Sequence, residues 1–499
     1  MISAQVPILI ELLPLLSGLA ITVFAQKNKN LAFFLLLLGM TGSFSAACTA
    51  LFQVLQGNGP IHYRLGDWAP PFGIELVIDH LSAMVLCMVS GASLLTLLYS
   101  KRTVEAEIPD RIHHYYTLYA LLVSGLLGMV ATGDIFNLYV LLEISALASY
   151  ALLARGRGLA YIATFKYIIL GTIGACFYLL GVGYIYIKTG TLNMADLSVM
   201  LTTAEMHDSI SIKIGFILII LGIWVKMGFF PLHGWLPNAY SCASTTTSCL
   251  IAPLMTKVAV YIMIRLMFSV FSADYIFKTL QWQQEVVWMA CIAIVVGSLS
   301  ALAQRDLKRM LCYIVVAEIG YMVGGIWLAN SSGFSGAVYH IMSDIMMTLC
   351  LFMAVGAVIY KTGDSSLEAM RGVFRKMPVT AAVFLVCGLS IIGIPPTCGF
   401  FSKWYLISGA IETGQWHFVA ALLFSSLINV ILFFRIIEIG YFSKFDEHGH
   451  ATHQDIVVNE APASMLAPMI VSAASLILIG LYTDVILRNI IQWTIPAGL

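Results

Sequence analysis

About fourteen stretches of this 499-residue chain are apolar over the ~20 positions that carry an α-helix across a bilayer core. In hydrocarbon, every backbone N–H and C=O must be satisfied within the spanning segment, so such stretches fold as helices or not at all. They fall near 7–25, 31–54, 78–99, 114–130, 135–153, 159–187, 210–240, 243–266, 287–303, 310–329, 333–360, 378–410, 418–441 and 464–486. The expected fold is therefore all-α and polytopic, with about 14 transmembrane helices. Composition points the same way: 60% of residues are hydrophobic and 10% charged, where soluble proteins carry about 25% charged residues. The net charge of +0 leaves no basic footprint for nucleic acid. The ten cysteines are scattered without a C-x-x-C, which argues against zinc, an iron–sulfur cluster or a disulfide framework. No P-loop or G-x-G-x-x-G occurs, so no nucleotide chemistry and no cofactor is expected on this chain. The first residues lack the basic region of a signal peptide and read as the first span.

Two spans are long and interrupted. Pro231 and Pro237 fall inside 210–240, and Pro395 and Pro396 inside 378–410. Proline removes a helix donor, so both helices should break within the membrane. Such breaks are tolerated where they line a cavity, and a matched pair points to inverted repeats around a transport site. The spacing suggests residues 1–113 as helices 1–3 and 114–266 as a first inverted five-helix repeat (helices 4–8). Residues 267–441 then form a second repeat (helices 9–13), and 442–499 a polar loop and helix 14. Lys27, Lys29, Lys101, Arg102, Arg155, Arg157, Arg305, Lys308, Arg309, Arg371, Arg375 and Lys376 gather in odd-numbered loops. The positive-inside rule makes those loops cytoplasmic and puts both termini outside. His448, His450 and His453 lie in the one polar insert, read as a solvated loop rather than a metal site.

Ionisable residues interrupt the apolar runs at mid-depth: Glu143, Lys166 (nearer the cytoplasm), Lys226, Lys257, Glu318, His340, Asp344 and Lys403. A charge at mid-bilayer costs at least ~2.5–3.5 kcal/mol, and such residues usually face a bundle interior and mark ion paths. His340, Asp344 and Thr348, at i, i+4 and i+8, share one helix face, with Ser343 beside them. Alternating acids and bases suit proton hopping through bridging water, and a Glu–Lys pair suits a switch, because a lysine parted from its carboxylate in low dielectric releases its proton. A single pair could equally fix helix packing. A series flanking two broken helices points to transport. His340 taken alone reads equally as a packed histidine or a relay. Arg435 should partner a buried carboxylate, either Glu438 or Glu318.

The segments WVKMGFFPLHGWLPNAY (224–240), RDLKRMLCYIVVAEIGYM (305–322) and GIPPTCGFFSKWYL (393–406) resemble the helix seven, ten and twelve signatures of the antiporter-like subunits of complex I. GIELVIDHLSA (73–83) and LMTKVAVYIMIR (254–265) look more like the D-type chain of the Mrp cation/proton antiporter. The resemblance covers nearly the whole chain. It implies a hydrated mid-membrane axis, with Glu143 and Lys226 as the paired switch, Lys257 as the relay lysine of helix eight, and Lys403 as the terminal lysine of helix twelve. It implies an H⁺-translocating subunit, with Na⁺ as the candidate exchanged ion, in a prokaryotic inner-membrane complex of the Mrp or complex I-related kind. Its partners would be the other membrane subunits and the lipid bilayer. The alternative is a non-conducting structural subunit of a hydrogenase- or ferredoxin-linked respiratory complex. A quinone-reactive enzyme subunit has no redox motif to support it. The chain departs from the family in helix eleven, where a lysine is usual near Thr348 and a histidine near Ser343. It departs again at Glu318, where glutamine is common.

Overall fold

The computed structural model describes residues 5–57, 59–156, 158–442 and 459–499. Arg157 and the three loop histidines lie outside the described residues. The chain runs through α1 (Val6–Phe24), α2 (Lys29–Leu55), α3 (His80–Glu107), α4 (Ile112–Ala131), α5 (Ile135–Leu153) and α6 (Ala160–Thr189). The short α7 (Met194–Met200) and α8 (Ala204–Asp208) precede α9 (Ile210–Met227), α10 (Leu236–Cys242) and α11 (Thr245–Arg265). Then come α12 (Gln283–Leu302), α13 (Leu307–Trp327), α14 (Ser331–Thr362), α15 (Val373–Lys376), α16 (Pro378–Ile392) and α17 (Cys398–Glu412). The chain closes with α18 (Trp416–Phe442), α19 (Ala463–Leu481) and α20 (Thr483–Asn489). Among the described residues, 13 helices are long and apolar enough to cross a membrane, or 14 if the bent pair Glu368–Lys376 and Pro378–Ile392 is one span. Most expected spans and helices agree to within a few residues, because apolar length fixes them, but α3 runs eight residues past the expected end at 99, and 210–240 and 378–410 each resolve into two helices.

α11, α13 and α14 are buried almost all round and form the centre of the molecule. They can be, because their polar residues find partners on one another. The outer helices α1, α2, α6 and α19 keep an apolar face exposed, as a lipid-facing helix does.

Both expected breaks are present, with one refinement. α9 stops at Met227 because Gly228 turns left-handed (φ 71°), a conformation glycine adopts without steric penalty. Pro231 lies in the link that follows. Pro237 instead sits in the first turn of α10, where its missing N–H leaves no hydrogen bond unmade, so it starts the second half-helix rather than making the break. α16 stops in the same manner at Gly393 (φ 93°), and Pro395 and Pro396 lie in the link to α17.

One element was not legible in the sequence. β1 (Ile61–Arg64) pairs antiparallel with β2 (Glu75–Ile78), Ile61 opposite Ile78. Four residues per strand are too few for alternation to stand out. The hairpin lies over the end of α4, where the Gly133 amide donates to the Glu75 carbonyl at 2.8 Å.

α6 and α9 meet along a glycine seam. Gly174 and Gly181 of α6 oppose Gly222 and Gly215 of α9, and the backbones touch because no side chain stands between them. A Cβ at Gly222 would lie 2.5 Å from the Gly174 carbonyl and 2.8 Å from the Tyr178 nitrogen. Gly222→Ala should therefore destabilise by ~1–3 kcal/mol, seen as a lowered Tm of the detergent-solubilised protein. Gly183→Ala, on the open side of α6 with nothing within 4 Å, should leave Tm unchanged.

Candidate functional site

Lys226 occupies the last turn of α9, where a cation is favoured by the helix dipole. The side chain is 7% exposed. Its Nζ lies 3.4 Å from Glu143 Oε1 on α5. The turn it stands on is held from beyond the break: Trp235 Nε1 donates to the Val225 carbonyl at 3.0 Å, and the Phe229 amide to Trp224 at the same distance.

Lys257, fully buried on α11, lies 3.0 Å from Asp344 Oδ2 on α14, an ion pair whose approach is too oblique for an aligned hydrogen bond. Nζ donates instead to Thr348 Oγ1 and to the Ala252 carbonyl, both at 3.2 Å. Thr348 in turn donates to Asp344 Oδ1 at 2.7 Å. The helix-eleven face anticipated from spacing therefore looks inward.

One turn away on that face, His340 Nε2 is 2.5 Å from Glu318 Oε2 of α13, and its Nδ1 is 2.9 Å from Ser402 Oγ of α17. The other Glu318 oxygen is buried without a hydrogen-bond partner among the described residues. Lys403 follows Ser402. Its Nζ donates to the Ile391 carbonyl (2.6 Å), the Ile392 carbonyl (3.3 Å) and Ser426 Oγ (3.0 Å). The first two are carbonyls at the end of α16 that lose their helical partners where the helix breaks. The second break thus makes the binding site for the terminal lysine.

Tyr321, which spacing did not single out, joins these groups. Its ring packs against His340 (5.4 Å) and under the Lys403 ammonium (5.3 Å). Its hydroxyl donates to Ser425 Oγ at 2.6 Å, and Ser425 meets Ser298 Oγ at 2.6 Å.

Two expectations fail. Lys166 is exposed on the outer side of α6, lining a shallow cleft with Trp235 and Asn238, and does not join the buried series. Arg435 and Glu438 lie on the exposed face of α18, and Glu318 is taken by His340 rather than by Arg435. Lys308, counted among the loop cations, is only 5% exposed and donates to the Ala243 carbonyl at 2.5 Å.

Lys226 and Lys257 do not face each other. Lys226 shares a cleft of ≈ 20 Å³ with Met255, Ala259 and Ile262, which lie on the opposite side of α11 from Lys257. That space holds about one water. Chemically, the arrangement is two lysine–carboxylate pairs separated by one helix, then a carboxylate–imidazole pair, then a lysine on helix-end carbonyls.

The family described as NADH:quinone oxidoreductase/Mrp antiporter, TM, matches residues 132–429. NADH-quinone oxidoreductase subunit N of Desulforudis audaxviator is 40% identical over 501 residues, covering 99% of each chain. The D-type chain of the Na(+)/H(+) antiporter of Bacillus subtilis is 31% identical over 452 residues, covering 89% of this chain and 88% of its own. Among solved structures, a chain of the membrane-bound sulfane sulfur reductase, an archaeal respiratory membrane complex, superposes with a TM-score of 0.88 at 31% identity, covering 98% of this chain and 97% of its own.

Removing one partner of a buried ion pair costs ~3–5 kcal/mol, whereas replacing both by apolar groups is often neutral. Asp344→Asn should therefore lower Tm sharply, and Lys257→Met with Asp344→Leu should restore most of it. A double variant no more stable than the single one would mean that the two groups do not compensate each other.

Proposed function

The chain belongs to the NADH:quinone oxidoreductase/Mrp antiporter transmembrane family, and we propose that it translocates H⁺ along its buried axis as one subunit of a multisubunit membrane complex. Where that complex is an antiporter, Na⁺ is the exchanged ion. Two of the relatives are named as parts of an oxidoreductase and of a respiratory complex, which favours an assembly driven by a redox partner. The protein's own residues supply no redox group in this reading. They hold and pass protons.

The observation that carries the proposal is the run of buried cations, each met by oxygens from another segment: Lys226 by Glu143, Lys257 by Asp344 and Thr348, and Lys403 by the α16 carbonyls. A purely structural subunit has no use for a lysine lodged in a helix break. Glu143 and Lys226 act as the switch. In contact, each stabilises the other's charge. Parted, Lys226 gives up a proton towards Lys257 through water in the narrow cleft beside α11. Asp344 replaces the usual helix-eleven lysine and holds Lys257 charged between transfers. Glu318 and His340 carry the proton on to Lys403. The two halves, 114–266 and 267–441, would act as inverted repeats around this axis, each with its broken helix. Loop charge supports an inner-membrane orientation with both termini outside.

The test keeps size and assembly. Glu143→Gln and Lys226→Met should each assemble with the partner subunits, and each should abolish ion-coupled transport in vesicles bearing the complex. Full transport by an assembled Glu143→Gln variant would overturn the switch.

A further inference from the structure

Segments 73–83 and 254–265 meet beyond the end of the axis: the second carries Lys257 and, eight residues on, Arg265. Asp79, from the first, caps the N-terminus of α3, its Oδ1 accepting from the Ser82 amide at 2.9 Å. Arg265, from the second, ends α11. The two form a bidentate pair, NH1 to Oδ2 at 2.6 Å and NH2 to Oδ1 at 2.9 Å. The side chains are 12% and 27% exposed, Arg265 first. Burial opposes the charge on Asp79, but Arg265 and Ser82 outweigh it and hold the carboxyl well below the usual carboxylate range.

Arg265 stands in line with the axis. Lys257, Tyr261 and Arg265 follow one another at i, i+4 and i+8 on one face of α11. Arg265 Nε donates to the Tyr261 hydroxyl at 3.1 Å, and that hydroxyl donates to the Val130 carbonyl of α4 at 2.8 Å. On the far side of the pair the structure opens. A cavity of ≈ 120 Å³ is lined by Asp79, Arg265, Ser269 and Trp493. A second, of ≈ 320 Å³, is lined by Arg265, Ser269, His62, Glu75 and Asn193. Both are far larger than one water needs. His62 and Trp493 are more than half exposed, so both cavities reach the surface, on the face opposite the basic loops. Just past Arg265, residues 266–271 form a π-helical turn, a feature frequent at functional sites.

We propose that the Asp79–Arg265 pair is the outer gate of the ion path, closing the Lys257–Tyr261 face of α11 off from the two outer cavities. The gate rests on the transport reading above. With the pair closed, the guanidinium occupies the Tyr261 hydroxyl and shuts out water. With the pair parted, water reaches past Tyr261. A hydronium entering from the outer cavities then gives its proton through that water to a Lys257 amine that has passed its own proton on towards Glu318, and is left as water. A plain clamp between α3 and α11 would hold the same contacts but would control no access.

The experiment measures access in the assembled complex, with native cysteines replaced. Val258 is fully buried, on the gate's inner side of α11. Val258→Cys places a single reporter thiol there, and an impermeant methanethiosulfonate reagent is added from the outer face. The Asp79→Asn, Arg265→Gln double variant, which leaves no unpaired charge, should label at least about tenfold faster than the intact pair, as a loss of ~1.4 kcal/mol of closed-state preference gives. It should also let an imposed pH gradient decay without coupled transport. Arg265→Lys keeps the charge but loses the two-pronged grip. It should speed labelling to a lesser degree, and it serves as the reading should the double variant not assemble. Unchanged labelling in an assembled variant overturns the gate. Lys226→Met in the same background separates the two claims: it should stop coupled transport while leaving the reporter thiol sealed. If Lys226→Met transports normally, the transport reading fails on its own account.

Discussion

An ammonium group taken out of water must find oxygen elsewhere, and the centre of this protein is arranged around that need. Each buried lysine of the axis is satisfied by a segment other than its own turn of helix. Lys226 meets α5, Lys257 meets α14, and Lys403 meets the end of α16. The breaks and the lysines are one device. A continuous helix through 378–412 would have kept the Ile391 and Ile392 carbonyls in its own ladder and left Lys403 with Ser426 alone. Glycine makes this possible at both places, since Gly228 and Gly393 each stop a helix in a left-handed turn.

α11 divides the axis rather than simply continuing it. One face, through Met255, Ala259 and Ile262, borders Lys226. The opposite face carries Lys257 to Asp344 and ends at Arg265. In the proposed path, transfer between the two lysines passes round an apolar helix through a space of about one water. A path this narrow would conduct only when the cleft is wet, so small shifts of α9 against α11 would set its conductance. The glycine seam that holds α9 to α6 thereby bears on transfer without touching a charge.

Much of this was legible in the sequence, and the failures share one cause. Apolar length gave the spans, proline and glycine gave the breaks, and mid-span position gave Glu143, Lys226, Lys257, Glu318, His340, Asp344 and Lys403. Depth along a helix can be read from the chain. Rotation about its axis cannot, unless the packing face declares itself. Lys166 lies at a depth that could have joined the series, but α6 packs through the face of Tyr167, Gly171 and Tyr178 and leaves Lys166 exposed. Partners were the other blind spot. Nothing local says that Asp79 will find Arg265 across 186 positions, or that Glu318 will take His340 rather than Arg435. Asp306 illustrates the general case. It reads as a helix cap, which it is, and its other oxygen takes the Ser365 hydroxyl from a loop that no pattern links to it.

The proton inventory of the second half follows from hydrogen-bond roles. The Ser402 hydroxyl donates to the Gly399 carbonyl at 3.0 Å, so towards His340 its oxygen can only accept. His340 Nδ1 must then carry a hydrogen. A single further proton is left for the 2.5 Å contact between Nε2 and Glu318. Whether that proton rests on the imidazole or on the carboxyl, the pair is neutral as a unit. Glu143 with Lys226, and Lys257 with Asp344, are neutral as units too. Lys403 is then the one cation of the axis with no carboxylate in contact, held only by carbonyl and hydroxyl dipoles. In the proposed path, a further proton entering upstream would add a charge that no unit compensates, and repulsion between like charges in low dielectric would drive the loss of one from the least neutralised site. That site is Lys403. On that reading, the acid in helix eleven has a role a lysine there could not fill: it makes the middle of the axis neutral, so that the excess charge would collect at the end.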